Sequence, residues 1–410
     1  MEAGRTFTVF HISPSYKPAY CYGGPTMSVA QLCQELSLSG LHVEILTTKA
    51  NGATELMVIT DHQYTIDGVS VRYYPRITKD HTHFSPRLLY KLYSCIKQAK
   101  SADHKALIHV HSWWNLVAIS STVMAVYFKI PVIVSPRGMI TSYTLSYKHT
   151  FIKRLLHQFV GLRLLKCVAL HATSSYEAEN IKRQIKLAKI TVIPNLVDLP
   201  KTVQLGHSTG GVQKFNLQQE RITAGAETPF KLIFLSRIDR KKGIDLLFES
   251  LAKVGFPWHL SIAGDGAPEY ILELKHLSCT LKINSKVRWL GYLENEHKFN
   301  TLQKHDLLVL ISWNENFANV IMESLAVGTP VLVSDKVGLS SYLSESGLGW
   351  VCKTETEDLG QTLTQSYKDV EKRRSIRQKA PEQILKDFDK QKIVQEYLNL
   401  YQTLMKNSPT

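Results

Sequence analysis

LLVLISWNENFANVIMESLAVGTPVLVS, residues 307–334, runs from an apolar stretch through a polar turn into an amphipathic stretch and back to an apolar one. Leu307–Ile311 reads as a strand, and the segment ending at Ala326 reads as a helix. Gly328-Thr329-Pro330 stops that helix, and Val331–Ser334 opens the next strand. Near-continuous Val/Ile/Leu runs belong to strands buried on both faces, which means a parallel sheet with helices on each side. The same rhythm extends outward through Lys231–Leu235, His259–Ala263, Val287–Leu290 and Trp350–Cys352. An independent series precedes it: Phe7–Ile12, Val43–Thr47, Val69–Tyr73, Leu107–His111, Val132–Ser135, Val168–Thr173 and Thr191–Pro194. Helix patterns such as Met27–Leu36 and Pro86–Ala99 fall between them.

Between the series lies 199–229, glycine-bearing, poor in apolar residues and aperiodic, which reads as a linker. The expected fold is α/β, with two doubly wound Rossmann-like domains facing each other across a cleft. Their bounds are 1–198 and 230–385, followed by a C-terminal helical segment, 386–410, packing back toward the first domain. In open α/β sheets ligands bind beyond the carboxyl ends of the strands, so strand-ending residues become the candidates.

Length and composition agree with this reading. The chain has 410 residues, enough for two cores, and 44% apolar with 20% charged residues is ordinary for a folded protein. Disordered, collagen-like and disulfide-stapled classes are excluded. The six cysteines are scattered without CxxC or metal-ligand spacing and read as reduced thiols, hence a reducing compartment. No signal-like N-terminal pattern and no apolar run of membrane-spanning length occurs, so a cytoplasmic location is expected. The net charge of +14 favours anionic partners: nucleic acid, an acidic membrane or phosphorylated small molecules.

Five motifs fall at strand ends. The strongest is Asn314–Ala326, with Glu315 in the turn and Glu323 on the helix; eight residues set them at most roughly 12 Å apart along the axis. The amides of Asn316, Phe317 and Ala318 lie at the positive helix end. The plainer alternative is one surface and one core-edge glutamate. The second motif is Ser236–Gly243, where Arg237 and Lys242 supply a fork-shaped and a mobile cation suited to a pyrophosphate, unless the turn is simply solvated. The third is the loop Ser13–Thr26, whose Gly23-Gly24 pair permits close backbone approach to a ligand or is merely a loop. The fourth is His109-Val110-His111, two side chains facing one way on a strand. No third metal ligand is near in sequence, so a hydrogen-bonding histidine at the strand end, or a structural one, is the better reading. The fifth is Ser135-Pro136-Arg137, with Arg137 placed to meet an acceptor phosphate or carboxylate, or to form a structural ion pair.

Gly264-Asp265-Gly266 lacks the third glycine of a dinucleotide fingerprint, and Asp387-Phe388-Asp389 reads as solvated helix surface. Walker, Gly-x-Ser-x-Gly and His-Glu-x-x-His motifs are absent.

The order of these motifs, with Val192–Asp198 before the linker, resembles the retaining glycosyltransferases of family 4, of GT-B fold and bacterial polysaccharide-biosynthesis type. The likeness spans nearly the whole chain, and Arg237/Lys242 and Glu315/Glu323 are its most specific parts. It implies that the first domain binds acceptor and the second a nucleotide-sugar, UDP- or GDP-linked. Arg237 and Lys242 would neutralise the donor diphosphate, Glu323 would hold the ribose, and Glu315 with the backbone of Asn316, Phe317 and Ala318 would hold the transferred sugar. His111 would sit beside donor sugar and acceptor, and Gly23-Gly24 would approach the phosphates. No cofactor and no metal is implied. Asn316 and Ala318 replace two usual glycines, and each added Cβ narrows the sugar pocket; Leu196 replaces a third. The basic segment Lys148–Lys166 is read either as a packed helix or as a contact with an anionic membrane at its inner face, which suits a lipid-linked acceptor. A sugar-nucleotide epimerase or glycoside phosphorylase on a similar scaffold is the alternative enzyme, but nothing marks a pyridoxal lysine. A nucleic-acid binder would need a reading module that the chain lacks.

Overall fold

The structure is a computed structural model that describes residues 7–101, 105–141, 161–186, 188–200, 228–293 and 295–407. Most of the 199–229 segment, and 148–160 of the basic segment, lie outside the described residues. The chain divides into two compact units, Met1–Val197 with Phe388–Thr410, and Asp198–Asp387.

The first unit is built on a sheet formed by β1 (Phe7–Ser13), β2 (His42–Thr48), β5 (Gln63–Ile66), β6 (Val69–Tyr74), β7 (Lys105–His111), β8 (Val132–Ser135), β9 (Ala169–Ala172) and β10 (Lys189–Val192). Their order is β10-β9-β8-β7-β1-β2-β6-β5. All neighbours are parallel except the edge strand β5, which runs antiparallel to β6. The two-residue strands β3 (Ala50–Asn51) and β4 (Thr54–Glu55) form a separate hairpin. The sequence reading omitted β5 and this hairpin. Helices α1 (Gly24–Leu38), α2 (Pro86–Ser101), α3 (Leu116–Tyr127), α4 (Leu162–Lys166) and α5 (Ser175–Gln184) belong to this unit. Every residue of β1 and β8 is buried, as expected of strands covered on both faces.

The second unit has β11 (Phe230–Leu235), β12 (Trp258–Ala263), β13 (Val287–Gly291), β14 (Leu307–Leu310), β15 (Val331–Ser334) and β16 (Gly349–Cys352). They form one parallel sheet in the order β13-β12-β11-β14-β15-β16. This is the doubly wound order, in which the chain builds outward from β11, returns to its other side and builds outward again. The reversal lies between β11 and β14, and in the first sheet between β1 and β7. Helices α6 (Ile244–Leu251), α7 (Pro268–Thr280), α8 (Asn295–Gln303), α9 (Asn319–Ala326), α10 (Ser340–Ser346), α11 (Thr356–Lys368) and α12 (Val370–Asp387) complete this unit.

The last helix, α13 (Lys390–Lys406), belongs to the first unit. Its Ile393, Val394, Tyr397, Leu398 and Tyr401 share a buried cluster with Val9, Leu32, Ile45 and Leu107. Among the described residues no helix is long and apolar enough to cross a membrane.

Candidate active site

In the second unit the strand ends that flank the reversal carry the charged motifs. Beyond β11 the chain is fastened to the turn after β12: Ser236 N–H donates to Ala263 O at 3.1 Å, and Ile238 N–H to Asp265 O at 2.7 Å. Gly264 has φ +137°, and a Cβ there would overlap the Ser236 carbonyl oxygen. The Gly-Asp-Gly motif is therefore a backbone dock that fixes the turn bearing Arg237.

Asp239 accepts from Lys241 N–H at 3.0 Å and caps the tight helical turn Arg240–Lys242. Gly243, at φ +63°, then lets this turn press against the carbonyl of Ile311 beyond β14. Trp313 N–H donates to Lys241 O at 2.8 Å, joining the two strand-end loops. From the other side, Glu315 N–H donates to Lys336 O at 3.0 Å and Gly338 N–H to Glu315 O at 2.9 Å. Glu315 is thus held at both its backbone groups.

This scaffold brings the Lys242 ammonium onto the Glu315 carboxylate, with side-chain exposures of 7% and 18%. Burial pushes the Glu315 carboxyl up, but Lys242, Lys241 and Arg237 outweigh it and hold the group below the ordinary Glu value. Burial, together with the charges of Lys242 and Arg237, pulls the Lys241 ammonium down, and Glu315 acts against this. Three cations therefore act on one carboxylate, a local surplus suited to a dianion. Lys241 was not singled out in the sequence; a run of three cations in a turn does not reveal which one faces inward.

Glu323 lies on α9 and accepts from Lys298 Nζ of α8 at 2.7 Å, a partner the sequence reading did not name. Asn316, Phe317 and Ala318 precede α9, with Phe317 buried as the anchor of the loop. Ala318, the residue before the helix, sits at φ +63° and ψ 77°, where glycine would be unstrained.

In the first unit, Gly23 (φ 65°) precedes α1, and a Cβ on Gly24 would meet nothing within 4 Å. His111, at the end of β7, is fully buried, and its Nε2 lies 2.9 Å from His11 Nδ1. The neighbouring strand thereby supplies the third imidazole that the sequence neighbourhood lacks: ligand atoms of His11, His109 and His111 all lie within 4.8 Å of one another.

The wider hydrogen-bond order is fixed by one carbonyl. His171 Nε2 must donate to Ile193 O at 2.9 Å, so His171 Nδ1 accepts from the Ser135 hydroxyl at 2.7 Å. Ser135 Oγ then accepts from His109 Nε2 at 2.7 Å, and His109 Nδ1 accepts from the Tyr401 hydroxyl at 2.8 Å. Burial drives His11 and His171 down to about 3 and His109 and His111 well below the ordinary value, so all four rings are neutral. Both nitrogens of His109 are engaged, and the positive charge of Arg137 bears on all four rings. The set suits a neutral hydrogen-bonded network better than a divalent cation. His11 Nε2 and His111 Nδ1 are buried without a hydrogen-bond partner among the described residues.

Arg137 stands beyond β8 at φ 52°. One of its amino groups donates to Ser28 Oγ at 2.8 Å and to Asn195 Oδ1 at 3.2 Å. The Arg137 guanidinium is thus hydrogen-bonded within the first unit to Ser28 of α1 and to Asn195, which follows Pro194. Three strained backbones, Ser112 (φ 72°), Arg137 and Ala318, each follow the carboxyl end of a parallel strand. Such strain concentrates where a site over-determines the backbone.

Residues 22–201 match the family described as Glycosyltransferase Family 4, and residues 217–383 match Glycosyl transferases group 1. Among curated relatives, an N-acetyl-alpha-D-glucosaminyl L-malate synthase of Bacillus anthracis is 27% identical over 179 residues, 43% of this chain and 46% of the relative. The lipopolysaccharide core biosynthesis glycosyltransferase LpsE of Rhizobium meliloti is 25% identical over 48% of this chain and 56% of its own length. The chain thus spans about half the length of these relatives. The crystal structure of HepE from Anabaena in complex with UDP and glucose aligns with a TM-score of 0.71 and 17% identity, over 97% of this chain and 100% of that one. That likeness is one of fold, two Rossmann-like domains of GT-B type, as the sequence reading expected. The chain belongs to the family 4 glycosyltransferases, its first half carrying the Glycosyltransferase Family 4 region and its second the Glycosyl transferases group 1 region.

Proposed function

We propose that the chain is a retaining glycosyltransferase that moves a hexose from a UDP- or GDP-sugar to a hydroxyl of a glycan or lipid-linked acceptor in surface polysaccharide biosynthesis. The observation that carries this reading is the Lys242–Glu315 pair, under the charges of Arg237 and Lys241, at the strand-order reversal of the second sheet. A diphosphate arriving there meets two more cations than anions. As the bond from the sugar C1 to the phosphate oxygen breaks, charge grows on the leaving group, and cations already fixed in place stabilise it without reorganising. These cations do the work that a metal ion would do, and no metal is assigned to the reaction.

Glu315, kept ionised, accepts hydrogen bonds from sugar hydroxyls together with the backbone of Asn316, Phe317 and Ala318, while Glu323 grips the ribose. The acceptor oxygen attacks C1 from the face the phosphate leaves, and its proton passes to the departing phosphate oxygen. His111 is the residue of the first unit assigned to sugar and acceptor, and its Nδ1 has hydrogen-bonding capacity to spare. The loop at Gly23-Gly24 is assigned to the phosphates. The enzyme works in the cytoplasm, at the inner face of the membrane when its acceptor is lipid-linked.

A panel of UDP-, GDP- and ADP-sugars tests the reading, since a donor that binds only the folded state raises the melting temperature. With the stabilising donor, Glu315→Gln and Arg237→Ala are expected to retain the fold and lose transfer by about a hundredfold to a thousandfold, ~2.7–4 kcal/mol of barrier each. Full turnover in either variant refutes the site.

A further inference from the structure

The positive charge of the chain is unevenly placed. Residues 81–176 hold twelve Lys and Arg and a single acidic residue, Asp103, whereas the remaining 314 residues hold 37 cations and 34 anions. Nearly all of the surplus therefore comes from under a quarter of the chain. Within it, α2 and α3 pack against one another and contain no acidic side chain.

On α2, Leu88, Leu92, Cys95 and Ile96 are buried, while Arg87, Tyr90 and Lys97 recur on the outward face, Tyr90 at 73% exposure. Helix α3 has no charged residue at all, yet exposes Val123 at 45% and Tyr127 at 77%. Cations and rings interleave across the seam: Lys97 Nζ stands 5.6 Å from the Tyr93 ring, and Lys100 Nζ stands 5.7 Å from that of Phe128. The Tyr93 and Phe128 rings are 5.5 Å apart.

We propose that this α2–α3 face docks on an anionic lipid bilayer. Lysine and arginine heads at this face reach phosphates while their stems and the tyrosine rings occupy the headgroup boundary. The uncharged, partly apolar surface of α3 beside the basic α2 favours lipid over nucleic acid, which would gain nothing from Val123 or Tyr127. Four residues separate the end of β7 at His111 from the start of α3 at Leu116, and Leu116 N–H donates to Thr82 O at 2.7 Å, close in sequence to the start of α2. The docked face therefore starts at the sheet edge where β7 ends, on the side a membrane-borne acceptor would approach. That last step rests on the transferase reading; the docking itself does not.

The test is co-sedimentation of the full chain with vesicles of phosphatidylcholine alone, and with vesicles in which a third of the lipid is phosphatidylglycerol. Binding is expected only to the second kind and is expected to weaken with salt. Each cation neutralised near an anionic surface is expected to lower affinity about fivefold, so R87Q/K97Q/K100Q together lower it about a hundredfold. Y90A/Y127A is expected to weaken the salt-resistant part of the binding. Unchanged binding by both variants, equal binding to the two vesicle types, or capture by duplex DNA in preference to vesicles overturns the proposal. Donor hydrolysis in vesicle-free solution, measured on the same variants and expected to be unaffected, separates failure of the docking face from failure of the transferase reading.

Discussion

Lys242 brings its ammonium into a site that leaves 7% of its side chain exposed, and Glu315 is its ion-pair partner there. Removing one partner of a buried pair strands the other, which typically costs more than the pair contributes. Lys242→Met is expected to destabilise the second unit by about 3 kcal/mol, and adding Glu315→Gln to return most of that loss. A double-mutant cycle in urea checks this, and simple additivity would contradict it. The pH dependence has a definite sign. Because the folded carboxyl lies below its ordinary value, its stabilising contribution is complete above the ordinary Glu range and lost as pH falls through the folded value. The gap between wild type and Glu315→Gln should therefore close in acid. Glu315 and Lys242 were legible as charged residues at strand ends, because strand-then-turn patterning is local. Their mutual contact was not, since it depends on β11 and β14 being neighbours across 73 positions of sequence.

At the scale of elements, the turns rather than the strands hold the chemistry, and glycine decides how closely they meet. Gly264→Ala would drive a methyl into the Ser236 carbonyl and push the Arg237 turn off its dock. A loss of about 3 kcal/mol or more in stability, with weaker donor binding, is expected. Gly24→Ala is the contrasting case, for nothing lies within 4 Å of the new Cβ. Its melting temperature should hold or rise slightly, and any loss of donor affinity then reports a ligand close to the backbone. Titration calorimetry on both variants separates the two effects. The strands of both sheets could be read from their apolar runs. The edge strand β5 escaped because Gln63–Ile66 is short and alternates in exposure, and an antiparallel edge needs no buried run. His11 escaped for a different reason: one histidine inside an apolar strand looks like core until β1 and β7 pair.

For the molecule as a whole, the neutral histidine network makes the first unit the acid-sensitive one. His11, His109, His111 and His171 protonate in the unfolded chain near the ordinary value of 6.5 but resist protonation when folded. Unfolding then takes up protons, so stability is complete above the ordinary value and falls as pH drops from there toward about 3. Each such histidine removes roughly 1.4 kcal/mol per pH unit over that window. Chemical unfolding followed from pH 7.5 to pH 5 should show the first unit losing stability well before the second; equal loss in both would contradict this.

The placement of α13 has a consequence for biosynthesis. Tyr397 and Tyr401 complete a core whose other residues, such as Val9 and Leu107, are made far earlier in translation. A ribosome therefore delivers every strand of the first sheet long before the helix that seals it. Until α13 has been made, the nascent first unit exposes an apolar groove and His109 lacks its tyrosine, so the unit begun earlier is the later one to mature.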